Sequence, residues 1–159
     1  MQSEALTTLT ARYSLREDRI IVDGVTHTGD ELQLAFTRRL GRALVAELVR
    51  QVSARTDNPL MHDFAQDEAI STKPQSEAVQ VVDGRPAWLV THAHFQEIDA
   101  GVRVIFTEDD ERAVHLDCAE AVLRNLIDIF HKSFVAAEWD VGVFPDWAAG
   151  QAPQTQIIN

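Results

Sequence analysis

The amino-acid sequence predicts a single α+β domain, in which two long amphipathic helices pack on an antiparallel sheet. Three observations lead to this prediction. Short segments of alternating apolar residues are separated by turn dipeptides, two longer segments repeat apolar residues every three or four positions, and the order strand, strand, strand, helix occurs twice. Tight turns join neighbouring strands in antiparallel pairs, and each helix must bury its apolar side.

The first half begins with three predicted strands. Residues 6–15 alternate loosely between apolar and polar, and a second strand over 19–22 ends at the turn signal Asp23-Gly24. Residues 32–36 alternate with a clear period of two, which is typical of a strand with one buried face. We therefore expect an antiparallel meander.

A long helix and a polar connection follow. Thr37 is the predicted N-cap of a helix over 38–54, in which apolar residues recur at spacings of three and four. Residues 55–87 connect the two halves, and Asn58-Pro59 in this connection has the pattern of a helix start. The apolar face of that short helix would consist of Leu60, Met61, Phe64 and Ala65.

The second half repeats the same order of elements. Strands are predicted over residues 79–82, 88–97, 102–106 and 114–116. An acidic turn at 108–111 separates the last two strands. A second long helix is predicted from Asp117 to about Ala137, because Asp117 and Glu120 form an acidic variant of the capping box.

The two halves superpose without a gap, with Leu34 aligned to Leu116, 82 residues later. Few aligned pairs are identities, and any two units of this kind align somewhere. Residues 6–54 and 88–136 are therefore either a true duplication or unrelated halves of similar architecture. True repeats would be related by a pseudo-two-fold axis.

Composition limits the classes of function. With 159 residues the chain is long enough for one domain with a real core, and residues 148–159 are expected to form a flexible tail. The net charge of -11 argues against nucleic-acid binding, which requires clustered cations. The sequence shows neither a signal peptide nor an apolar run long enough to span a membrane, so we predict a soluble cytoplasmic protein without membrane or nucleic-acid partners.

The stretch THAHFQEID, residues 91–99, contains the strongest candidate for a metal site. In a strand, His92 and His94 project from one face, and two imidazoles at that spacing can bind a metal ion if His115 or Asp117 supplies a further ligand. The favoured interpretation is an ordinary water-facing strand surface opposite Phe95. The metal site, in a small-molecule or metal-binding protein or an enzyme, is the alternative.

A catalytic cysteine is a further possibility that the sequence raises and disfavours. Cys118 follows His115 by three residues, at a predicted helix start where the helix dipole would favour a thiolate. However, the alignment of the halves matches Cys118 with Phe36, which indicates a buried packing position. We therefore predict no catalytic residue and no cofactor. The alternative function, a small-molecule or metal-binding protein, would use His92, His94, His115 and Cys118.

Two surfaces are candidates for binding other proteins. The first is a strip of arginines that occupies roughly a third of the circumference of the first long helix. It consists of Arg38, Arg39, Arg42 and Arg50. These arginines either extend over the core edge or pair with acidic loops of the same chain, or they dock an acidic partner segment or a phosphate group.

The second surface is aromatic. Phe144 and Trp147 flank a turn near the C-terminus and can anchor a partner, or they can fold back with Trp139 to cover the open end of the core. The leading hypothesis is a non-catalytic interaction or adaptor module that binds a protein partner or itself, as a homo-oligomer.

Overall fold

The computed structural model describes residues 2–73 and 87–149, which form an α+β fold. The strands are β1 (Glu4–Ser14), β2 (Arg19–Thr26), β3 (Glu31–Phe36), β4 (Trp88–Leu89), β5 (His92–Ile98), β6 (Gly101–Glu108) and β7 (Arg112–Cys118). The helices are α1 (Arg38–Arg55), α2 (His62–Ser71) and α3 (Glu120–Ala136), with short 3₁₀ turns at Pro59–Met61 and Asp146–Ala148. The predicted strand over 79–82 lies outside the described residues.

The two halves have their elements at equivalent positions. Adding 82 to the bounds of β2 gives 101 and 108, which are the bounds of β6. The same shift maps α1 to 120–137, and α3 spans 120–136. The shift that aligns apolar residues in the sequence therefore also aligns the secondary structure, while a common origin of the halves stays a prediction.

The sheet is mixed, so the predicted antiparallel sheet is only partly correct. The seven strands lie in the order β4-β3-β2-β1-β7-β6-β5. Pairing within each half is antiparallel, but β1 pairs with β7 in parallel at Glu4 and Ala5, and β3 pairs with β4 in parallel at Leu34 and Ala35. The parallel pairs join strands from different halves, which long crossover connections separate in the chain.

The sheet curls until the chain itself links its two end strands. Only Val90 and Thr91 separate β4 from β5, and their N–H groups donate to Ala35 of β3 at 3.0 Å and to Thr107 of β6 at 2.8 Å. Thus β1 begins beside β7 of the second half, and the segment formed by β4 and β5 begins beside β3 of the first half. This reciprocal pairing is the pattern that a pseudo-two-fold axis would produce.

The core lies between one face of this sheet and the long helices, whose predicted apolar stripes are buried. Phe36 of β3 contacts Phe106 of β6 and Phe130 of α3, with ring centroids 5.4 and 5.5 Å apart. Burial of each such side chain contributes about 1.5–3 kcal/mol relative to its exposure. The buried residues of the two stripes include Leu44, Val45, Leu48, Val52, Leu123, Leu126, Ile127, Phe130 and Phe134.

The dipeptide Asp23-Gly24 does not form the predicted turn, because it lies inside β2. The Asp23 carboxylate is buried and accepts hydrogen bonds from Gln33 Nε2 at 2.7 Å and Arg12 Nε at 3.4 Å. Both donors come from neighbouring strands, and a buried carboxylate needs such partners. Cross-strand pairing therefore replaces the local turn preference.

The two long helices differ in how well their N-caps were predicted. Thr37 caps α1 as predicted, and its hydroxyl accepts a hydrogen bond from Leu40 N at 3.2 Å. The start of α3 differs from the prediction. Asp117 is part of β7, where Arg103 donates to its carboxylate at 2.6 and 2.8 Å. Ala119 precedes the first turn of α3 and makes no side-chain capping bond. The ion pair with the neighbouring strand keeps Asp117 extended, so the predicted capping box is wrong.

A helix follows Asn58-Pro59 as predicted, but its buried face is a different one. Leu60, Met61 and Phe64 are 87, 47 and 64% exposed. We call these three residues the apolar corner. The buried residues of α2 are His62, Gln66 and Ala69. Polar residues face inward because Arg124 of α3 lies beneath α2 and requires hydrogen-bond acceptors.

Candidate functional site

The N-terminal half of α1 forms one side of a shallow cationic groove of about 460 Å³. We call it the arginine groove, and its lining residues are Arg38, Arg39, Arg42, Ala43, Ala46 and Val143. All three arginines are exposed. Within residues 2–73 and 87–149, no carboxylate forms an ion pair with any of them. Hydrogen bonds from Tyr13 and Trp139, and then the charge of Arg38, lower the pKa of Asp18, so Arg38 is partly compensated within the chain. Ion pairing among the described residues does not account for Arg39 and Arg42.

Helix stability does not explain these arginines either. Arg38 and Arg39 lie in the first turn of α1, which contains no acidic residue. Cations near a helix N-terminus oppose the helix dipole and cost about 0.3–1 kcal/mol each at exposed positions. Arg38 and Arg42 also repel each other, because residues four apart are neighbours on a helix. The positive charges of these arginines therefore destabilise the N-terminal end of α1, and their presence there favours a role in binding.

The fourth arginine of the predicted strip is neutralised. Arg50 donates from Nε and Nη2 to the two carboxylate oxygens of Glu47, at 2.9 and 2.5 Å. The hydrogen bonds from Arg50 are also the main reason why the pKa of Glu47 is lowered. The unpaired positive charge of α1 is therefore confined to its first turns.

The histidines of the predicted metal site share a face of the sheet without converging. The rings of His92 and His94 stack on the exposed surface of β5 with centroids 5.9 Å apart. In the strand register, Ile105 lies between His94 and His115. His115 Nδ1 instead shares a hydrogen bond with Ser3 Oγ at 2.7 Å, and Asp117 is paired with Arg103. In the described part of the chain, no group of three His, Cys, Asp or Glu side chains could hold a metal ion.

Cys118 occupies a packing position. It is the last residue of β7 and is 1% exposed, and burial raises the pKa of its thiol to about 12. His115 lies three residues earlier in the same strand, so the two side chains project from opposite faces of the sheet. This arrangement provides no base for the thiol, and burial lowers the pKa of His115 itself.

The two predicted anchor aromatics make contacts within the chain. Phe144 is 7% exposed and packs edge-on against Phe134, with ring centroids 5.2 Å apart. Trp147 stacks on His62 at 4.5 Å. Trp139 is buried and donates from Nε1 to Asp18 at 3.2 Å. These contacts fit the interpretation in which the aromatics cover the end of the core. Ala148, the first residue of the predicted tail, is also buried.

Sequence reasoning missed the most buried charge in the described residues. Arg124 of α3 is 1% exposed, and its guanidinium donates to Glu120 Oε1 at 3.1 Å, Thr56 Oγ1 at 3.0 Å and Gln66 Oε1 at 3.3 Å. It also donates to the carbonyl oxygen of His62 at 3.4 Å. The sequence signal was an arginine directly beside Leu123 in the apolar helix. We call these five residues the Arg124 cluster.

The Arg124 cluster determines the protonation state of His62. Arg124 Nη2 lies 3.1 Å from His62 Nδ1, and a guanidinium can only donate, so Nδ1 must accept. Burial, and then the charge of Arg124, lower the pKa of His62 and favour this neutral ring. The Trp147 ring lies against the guanidinium, 5.1 Å from its carbon atom. The cluster thus joins α1, α2, α3 and the C-terminal turn, which indicates a structural role.

The structure therefore defines an α+β chain with a curled mixed sheet, two packed long helices and a cationic groove on the first of them. No protein-family model, curated protein or solved structure matches this chain. Among the helices that the structure describes, none is long and apolar enough to cross a membrane. Function must therefore be argued from the surfaces themselves.

Proposed function

We propose that this protein is a non-catalytic interaction module that binds an acidic segment of a partner protein through the arginine groove. The observation that carries this proposal is a group of three exposed arginines, none in an ion pair with a described residue, on a chain of net charge -11. Arginine presents a planar fork of donors that matches a carboxylate, and the pairing can be bidentate. The groove thus offers a charge pattern that carboxylates of another chain can neutralise.

The lining of the arginine groove also has an apolar component. It consists of Ala43, Ala46 and Val143. A partner segment that places one apolar side chain among its acidic residues would contact both kinds of lining residue. Protein interfaces typically combine apolar and charged contacts.

The overall charge restricts which acidic partners suit the groove. At long range a chain of charge -11 repels another strongly acidic molecule, whereas the arginines attract only at short range. We therefore expect a partner with a few acidic residues in one local segment. Binding of a uniformly acidic polymer should be weak at low salt.

Charge reversal tests the groove. Arg38→Glu combined with Arg42→Glu is expected to weaken partner capture at least about tenfold, which corresponds to about 1.4 kcal/mol. The variant should be as stable as the wild type or slightly more stable, because acidic residues near a helix N-terminus are favourable by about 0.3–1 kcal/mol each. The measurements are thermal unfolding and affinity purification from the native cell after cross-linking, with equal amounts of each protein.

Arg50→Gln is the matched control, since it removes an arginine of the same helix that is already paired. The control should capture the same partners as the wild type. A large fall in melting temperature of the double variant would show that the arginines are structural. Unchanged capture by a stable double variant would exclude the groove as the interface.

The proposal includes self-association, which the apolar corner supports. Leu60, Met61 and Phe64 expose three large apolar side chains within two helical turns. A contiguous apolar patch on the surface gains free energy when another surface covers it. A second copy of the chain always supplies the same patch, as a symmetric dimer requires.

Leu60→Ser combined with Phe64→Ser should convert a self-associating wild type to a monomer. Both side chains are exposed, so the melting temperature should change little. Sedimentation velocity over a range of concentrations measures the change. Val135→Ser, which removes an exposed apolar side chain from α3, is the control and should behave as the wild type. Association that survives the double substitution would contradict this part of the proposal.

A further inference from the structure

A second cleft, which shares no lining residue with the arginine groove, runs beside β1. One edge of β1 pairs with β2 from Leu6 to Ser14, whereas the other edge pairs with β7 only at Glu4 and Ala5. Beyond Ala5 the two strands diverge, and no other strand in the described ranges pairs with this edge of β1. Unpaired main-chain groups on a strand edge are a template for another strand.

The cleft has a volume of about 630 Å³ and follows this edge. It contacts the five consecutive residues 9–13 of β1. Successive side chains of a strand point to opposite faces, so a cavity that touches all five residues reaches the main chain of β1 as well as its side chains. Residues of α3 and the end of α2 form the opposite wall, among them Ile70, Ile129, Ser133 and Ala136.

The cleft combines apolar walls with a positively charged rim. Arg12, Lys73 and Lys132 line it, and Asp128 is the one acidic residue among the described lining residues. Arg12 is paired with Asp23 at 3.4 Å, so the lysines supply most of the positive charge. Lys132 pairs with Asp128 at 2.9 Å but keeps 70% of its side chain exposed. Lys73 forms no ion pair within the described ranges. A ligand with carboxylates is therefore complementary to this rim.

We propose that this cleft binds an extended acidic segment of a partner protein, which adds to β1 as a further strand. Thr10 already has an interaction partner. We therefore assign the main-chain hydrogen bonds between β1 and the added strand to residues 11–14. In this binding mode the main chain supplies affinity, and pockets for alternate side chains supply specificity. Side chains that point toward α3 would contact Ile129 and Ala136, and acidic side chains would meet Lys73 and Lys132.

A peptide selection tests this assignment. The probe is a displayed library of random peptides of about ten residues, which is the upper length of a typical strand. Targets are the wild-type protein, Ala136→Trp and Ala46→Trp. Ala136 is exposed and lines the cleft, so a tryptophan there fills the cleft without entering the core. Ala46 is an equally exposed position that lines the arginine groove and serves as the matched control.

We expect enrichment of peptides in which acidic and apolar residues alternate. They should bind the wild type and Ala46→Trp equally, and Ala136→Trp at least about tenfold more weakly. Methylation of alternate main-chain nitrogens of the best peptide should abolish binding, because it removes the donors of an added strand. Lys73→Glu, at an exposed residue, should also weaken binding about tenfold with little change in melting temperature.

Several results would overturn the proposal. They are a selection without enriched peptides, peptides that bind Ala136→Trp as well as the wild type, and methylated peptides that bind unchanged. Peptides lost only with Ala46→Trp would support the arginine groove and reject the cleft. Self-association that Ala136→Trp abolishes, without any enriched peptide, would assign the strand edge to a second copy of the chain. Should Ala136→Trp unfold, Lys73→Glu decides between the outcomes.

Discussion

Substitution of Arg124 by methionine is expected to lower the free energy of unfolding by about 3–5 kcal/mol. Methionine retains most of the stem volume but leaves two acceptors on buried residues, Gln66 Oε1 and His62 Nδ1, without the guanidinium donor, and it also removes the donor to Thr56 Oγ1. Each buried acceptor without a partner costs about 1–3 kcal/mol. Replacement of a complete buried ion pair by apolar residues is often harmless, but here the acceptors belong to other elements and remain in place.

Urea denaturation followed by circular dichroism measures this loss. Glu120→Gln is the control, because the exposed fraction of the Glu120 side chain is 39% and glutamine keeps an acceptor for Arg124. It should lose less stability than Arg124→Met, because the hydrogen bonds of Arg124 can persist and only its counter-charge is removed. A loss of similar size in both variants would show that the other acceptors do not depend on Arg124, and would remove its role as the link between α2 and α3.

Substitution of Gly101 by alanine is expected to destabilise the protein by about 3–5 kcal/mol, since strain and overpacking add. Gly101 begins β6 with φ +148°, a conformation that residues with a side chain rarely adopt. Its Cβ would overlap the carbonyl oxygen of Cys118 and lie 3.0 Å from the carbonyl carbon. Both clashes involve main chain of the paired strand β7, so no side-chain rotation can relieve them.

Gly29→Ala is the matched control for this prediction. Gly29 has φ +91°, but nothing lies within 4 Å of the position of its Cβ. Alanine there meets only the local backbone cost, about 1–2 kcal/mol. Chemical denaturation of the two variants under identical conditions separates the backbone strain, present in both, from the steric overlap with β7, present only in Gly101→Ala. Equal losses would show that β7 yields to the methyl group and that the close approach at Gly101 is not structurally required.

Much of the secondary structure could be predicted because it depends on local periodicity. The apolar spacing of residues 38–54 identifies α1 within one residue at its C-terminal end, and the shift of 82 residues places β2 on β6. Helices and strands bury one side, so the period of apolar residues reports the element directly. The same periodicity put Arg38, Arg39 and Arg42 on one arc of α1.

Three of the local errors have a common physical cause, which is a polar partner supplied by a distant element. Gln33 and Arg12 hold Asp23 within a strand, and Arg103 holds Asp117 in another. Likewise, Arg124 turns the polar side of α2 inward and leaves Phe64 exposed. A buried charge requires hydrogen-bond partners, and distant elements supply them here. Local conformational propensity therefore does not decide the structure at these positions.

The sequence alone determined the α+β class, the two helical stripes, the repeated order of elements and the clustering of arginines on α1. Only the tertiary structure decided that three of these arginines have no ion-pair partner in the described residues while Arg50 does. It also decided that β1 leaves β7 after Ala5 and opens a cleft beside α3. Periodicity is a property of neighbours along the chain, whereas pairing and clefts depend on which distant residues meet.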